Sequence, residues 1–125
     1  MNKIKSLFLF YIIIFFSCDK DTEKAMEKEI CYSGKLVKKG ICMNYVIEVL
    51  DSEFNKNLIE IIWVDEFSDK EYQNVFTLAS VCDFPNDIME GEIFNFSVLE
   101  NYNELCVVCL AYTPTPEKSL SIRLC

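Results

Sequence analysis

Histidine is absent from all 125 residues. That removes Ser-His-Asp and Cys-His catalysis, imidazole metal sites of the zinc-protease kind, and the usual charge switch near neutral pH. Positive charge is scarce, with 12 basic against 20 acidic side chains. A nucleic-acid surface needs a basic patch, so DNA and RNA are excluded as partners. Long hydrophobic runs are also lacking. The apolar stretch Leu7–Phe16 has ten residues, which rise about 15 Å as a helix, roughly half of a bilayer's hydrocarbon core. A stable transmembrane span is not expected from it.

What that stretch does fit is an export signal. Asn2, Lys3 and Lys5 precede it, and Ser17 and Cys18 close it. This pattern resembles a bacterial lipoprotein lipobox. Ser17 suits the position before the cysteine, whereas Phe15 and Phe16 are bulkier than that family's usual residues. The resemblance implies cleavage after residue 17, lipidation of Cys18, and a membrane partner through the anchor. Acyl chains contribute about 0.8 kcal/mol per buried methylene, so several chains would hold firmly. Residues 18–29 begin Cys-Asp-Lys-Asp and read as a flexible tether. That start is similar to lipoproteins of the Bacteroidetes group, in which acids just after the cysteine accompany surface display. Loss of Lys3 and Lys5 with the leader leaves ten basic and twenty acidic side chains, a formal charge of −10.

Seven cysteines are present. With Cys18 assigned to lipid, Cys31, Cys42, Cys82, Cys106, Cys109 and Cys125 remain. An even number in a small exported domain argues for disulfides, and six cysteines allow 15 pairings. One pairing is suggested by strand phase. Cys31 shares the outward face of a first strand with Ser33 and Lys35, and Cys125 is in phase with the outward Ser121 and Arg123. Cys106 and Cys109 lie three apart, so on a strand they point to opposite faces and pair elsewhere. The intervening Val107 and Val108 and the flanking leucines are strand chemistry, unlike a redox C-x-x-C at a helix N-terminus. Leu110 stands where haem attachment would need histidine.

Residues 30–125 are expected to form one β domain. Ile, Val, Phe and Tyr dominate, with strands at 30–37, 41–51, 58–64, 92–99, 105–112 and 119–124. Between residues 65 and 82 a short helix is expected. Ser68 and Glu71 make a capping box, and Tyr72, Val75, Phe76 and Ala79 recur at helical spacing. Hairpin spacing with a single helix after the third strand fits a small OB-like barrel, with a β-sandwich as the alternative. Cys31 with Gly34, Gly40-x-Cys42, Glu90-Gly91 leading into Phe94-x-Phe96, and Cys106 also resemble a loose group of small Bacteroidetes lipoproteins. That likeness implies a fold and a location, not an activity.

Site candidates are few. Asp65, Glu66, Asp69 and Glu71 cluster near one strand end, but no glycine-containing loop of alternating acids accompanies them, so an EF-hand is excluded and no metal or cofactor is expected. Trp63, Tyr72, Tyr102 and Tyr112 are candidates for a binding face. The expectation is a non-enzymatic, lipid-anchored outer-membrane domain that binds a protein or glycan. A structural envelope lipoprotein and a secreted enzyme inhibitor are the alternatives. A rigid exposed loop at 101–104 or 113–117 would favour the inhibitor.

Overall fold

The computed structural model describes residues 28–125. The leader, Cys18 and most of the expected tether lie outside the described residues. Six strands form: β1 (Tyr32–Lys39), β2 (Tyr45–Val49), β3 (Glu60–Asp65), β4 (Lys70–Leu78), β5 (Ile93–Leu99) and β6 (Ser119–Leu124). β1 lies between β2 and β5, β5 pairs with β6, β6 runs parallel to β4, and β4 returns to β2. Five strands thus close a ring, and β3 hangs outside it on β4 alone. Setting β3 aside, the order is that of an OB-type Greek-key barrel.

β4 is the strand that joins barrel and hairpin. Val75 pairs with both Glu48 and Glu60, while Thr77 pairs with both Val46 and Ser119. One edge of β4 therefore carries β2, and the other carries first β3 and then β6. The strong bend that closure requires appears in β1, whose register against β2 shifts between Leu36 and Lys38. Such a bulge bends a strand and raises its twist.

The core is aromatic at its centre. The Phe96 ring lies 5.9 Å from Phe76, 6.0 Å from Tyr32, 6.1 Å from Phe54 and 6.2 Å from Phe94. Leu36, Ile47, Val49, Leu78 and Ile122 fill in around it. Room for the Phe96 ring comes from Gly34, on the paired strand, where a Cβ would sit 2.9 Å from that ring. The expected alternation in β5 and β6 holds at Phe96 and Ile122, both buried. Ser97, expected outside, is buried as well, because its hydroxyl donates to Glu29, which Arg123 also holds at 2.7 Å. Glu29, assigned to the tether, therefore packs on the barrel.

Three sequence expectations are corrected. Residues 65–82 form no helix: β4 fills half of the segment, and the described residues hold only single 3-10 turns. The capping pattern belongs instead to a hairpin turn. Asp65 Oδ1 accepts the Phe67 N–H, Ser68 Oγ accepts the Lys70 N–H, and Asp69 sits at φ 57°. The helical spacing has its own cause. Asn74 takes φ 53° in mid-strand, and Val75 and Phe76 beyond it are both buried, which breaks the two-residue period. Residues 105–112 form no strand but part of one long crossing from β5 to β6. Finally, the expected strand over 41–51 starts late, since Ile41–Met43 make a 3-10 turn with Cys42 and Met43 at positive φ.

All six candidate cysteines pair: Cys31 with Cys125, Cys42 with Cys109, and Cys82 with Cys106. The pairing suggested by strand phase is present, and Cys106 and Cys109 do go to different partners.

Candidate functional site

The crossing between β5 and β6 is the most unusual surface feature. Its apolar centre runs Leu105-Cys106-Val107-Val108-Cys109-Leu110. Leu105, Val107 and Leu110 are 98%, 99% and 97% exposed. Several apolar side chains left bare within one short segment are uncommon on a folded surface. Here two covalent ties fix the backbone. Cys106 is bound to the turn after β4 through Cys82, and Cys109 to the turn after β1 through Cys42. The rest of the crossing is held by side chains: Lys38 Nζ donates to the Pro114 carbonyl at 3.3 Å, and Thr77 Oγ1 to the Pro116 carbonyl at 2.6 Å. Val107 stands between the two ties as a fixed apolar knob.

The neighbouring hairpin, β3 with β4, adds a second exposed apolar surface. Ile61, Ile62, Val64 and Phe67 are all exposed. Phe67 packs edge-on against Tyr112 at 5.9 Å, and the Tyr112 hydroxyl donates to Glu66. That hydrogen bond, followed by partial desolvation, raises the tyrosine's pKa. Tyr112 therefore links the stapled crossing to the hairpin.

The four aromatic candidates do not form one platform. Trp63 and Tyr72 are cross-strand partners and stack at 5.4 Å. Lys38 lies 5.6 Å from the Trp63 ring and Lys70 4.9 Å from that of Tyr72, which gives a cation–aromatic–aromatic–cation row. Trp63 and Tyr112 line one recess of about 390 Å³ with Pro114, Glu60, Glu66 and Glu117. Tyr102 is elsewhere, beside Asp83, where desolvation and that charge raise its pKa.

The carboxylate cluster also separates. Asp65 is buried and structural. Its Oδ2 meets Lys38 Nζ at 2.8 Å, and its carbonyl accepts from Ser68 and Asp69. Burial works to raise its pKa, but Lys38 and the Phe67 N–H outweigh that and leave it below the ordinary value. Among the described residues, no group of three acidic or sulfur ligands could hold a metal ion.

The face that OB barrels use for ligands, between the second and third barrel strands, is here the outer side of β2 and β4. Lys35, Glu48, Lys70, Glu71, Tyr72 and Gln73 line a recess of about 490 Å³ there. Charges of both signs alternate across it, and its one aromatic ring is already stacked on Trp63. Stacking of a base needs a free aromatic face, and the Tyr72 ring here is already engaged by Trp63 and Lys70.

Sequence reasoning missed the crossing because Leu105–Leu110 has the composition of a strand. The bridges that hold it, Cys42–Cys109 and Cys82–Cys106, are not readable from the cysteine spacing, which allows 15 pairings.

No family model, no curated protein and no solved structure matches this chain.

Proposed function

We propose that the protein is a non-enzymatic binding module of the cell envelope, anchored by lipid at Cys18, whose stapled crossing docks onto a protein partner. The observation that carries this reading is the pair of bridges at Cys106 and Cys109, which hold Leu105, Val107 and Leu110 bare to solvent. Pre-organisation of that kind lowers the ordering entropy lost on binding. Central apolar anchors supply most of the energy of a protein interface. Three disulfides accord with an oxidising compartment outside the cytoplasm, as the leader and the Ser17-Cys18 step imply. Between protein and glycan, the apolar crossing favours protein.

The test is site-specific photo-crosslinking in native membranes. A photoreactive residue at position 107 is expected to give one dominant adduct, and the same residue at Lys35 none. Equal labelling from both positions, or none from position 107, would overturn the reading.

The same observation favours an inhibitor as second reading. A loop fixed at both ends, with Val107 and Val108 between the ties, suits insertion into a protease cleft. The oxidised chain would then block one member of a protease panel, and reduction would abolish the block.

A further inference from the structure

We infer that the outer edge of β3 is a second docking site, which takes up an extended, basic peptide segment of a partner protein as an added strand. This goes beyond the docking role of the crossing and does not rest on it.

The edge is open. β3 is the terminal strand of the sheet and pairs with β4 only, in one unbroken register from Ile62–Gln73 to Asp65–Lys70. In an antiparallel pair, alternate residues turn their N–H and C=O away from the neighbour. Among the described residues, no backbone hydrogen bond from another element reaches residues 60–64 on that side. Proteins normally protect such an edge with lysine, proline, a bulge or a covering segment. The sequence Glu-Ile-Ile-Trp-Val-Asp holds no lysine or proline, its charges Glu60 and Asp65 stand at the two ends, and Ile61, Ile62 and Val64 leave the centre apolar and exposed. An edge left in this state favours strand addition.

Charge selects the occupant. The recess of about 390 Å³ beside β3 combines Glu60, Glu66 and Glu117 with Trp63, Tyr112 and Pro114. No lysine or arginine lines it. Lys38 is engaged by Asp65 and the Pro114 carbonyl, and Lys118 by the Ile59 carbonyl. A lysine or arginine side chain projecting from an added strand would meet three carboxylates and two aromatic rings. A second copy of this chain offers no lysine or arginine on its own β3 to place in that recess.

The experiment pans a random heptapeptide display library against the full mature chain with its disulfides intact. Enriched peptides are then measured by fluorescence anisotropy and mapped by crosslinking. The expected peptides alternate β-branched or aromatic residues with lysine or arginine, and crosslink to β3. N-methylation of alternate amides should abolish binding. Glu60→Lys with Glu117→Lys should weaken binding at least tenfold, with circular dichroism unchanged. Val107→Glu should leave peptide affinity unchanged, which separates this site from the crossing. Enriched peptides without basic residues, crosslinks outside β3, or full binding after N-methylation would each overturn the inference. So would a dimer in sedimentation that Ile62→Lys dissolves, because the edge would then belong to a second copy.

Discussion

Gly34 and Phe96 show how little freedom single residues have in this barrel. A methyl at position 34 would press on the Phe96 ring at 2.9 Å and also reach Ile47 at 3.4 Å. Overpacking of this kind destabilises by about 1–3 kcal/mol. Gly34→Ala should lower the urea midpoint accordingly, and adding Phe96→Leu should recover part of the loss. If the pair is no more stable than the single variant, the clash is not the cause. Asp65 gives the second prediction at this scale. Its pKa is lowered in the folded state, so the unfolded chain binds the proton more tightly. Its contribution is therefore complete above the ordinary aspartate pKa of about 3.9 and is lost as pH falls through the folded value. Asp65→Asn leaves the half-buried Lys38 ammonium without its counter-charge and should cost about 1–2 kcal/mol at pH 7. Stability measured from pH 7 down to pH 2 should show the wild type converging on the variant only at the acid end.

Elements differ sharply in what holds them. The barrel strands are fixed by ladders and by the Phe96 cluster, whereas the β5–β6 crossing is fixed by its two bridges and a few side-chain bonds. Replacing Cys42 and Cys109 by alanine should therefore speed chymotryptic cleavage at Leu105 or Leu110 by at least tenfold, with β-sheet circular dichroism retained. Equal cleavage rates would show that the crossing holds itself. This contrast also explains what the sequence could reveal. Strands with buried, alternating residues, such as Phe94–Val98 and Leu120–Leu124, were legible, and so was the barrel class. The hairpin of β3 and β4 was not. Asp65, Ser68 and Asp69 are turn formers whose spacing coincides with a helix cap, and a left-handed Asn74 shifts the inward residues to helical spacing. Of the binding-face candidates, Trp63, Tyr72 and Tyr112 converge around one hairpin, but Tyr102 belongs to a separate packing contact with Asp83.

For the molecule as a whole, the Cys31–Cys125 bridge spans 94 residues of sequence, nearly the whole of the folded body. Closing so long a loop in the unfolded chain is worth about 4–5 kcal/mol in the chain-entropy account. Replacing both cysteines by alanine should lower stability by up to that amount, read from guanidinium unfolding, without changing the native spectrum. A loss below about 1 kcal/mol would mean that the unfolded chain is already compact. Intact mass from native membranes is the companion measurement. A chain beginning at Cys18 with acyl groups and no alkylated thiol is expected. A chain without lipid would remove the anchor from the proposed function.

The bridges also set how the protein bears force. A partner tugging on the crossing while the N-terminal side is held loads the chain between Cys31 and Cys109. The covalent route is short: eleven residue steps from Cys31 to Cys42, then one bridge. Even with every backbone hydrogen bond of the barrel broken, that route stretches to only about 40 Å. Under tension the domain should therefore act as a short inextensible link. Reduction should turn it into a chain several times longer, a difference that single-molecule pulling between residues 31 and 109 would read directly.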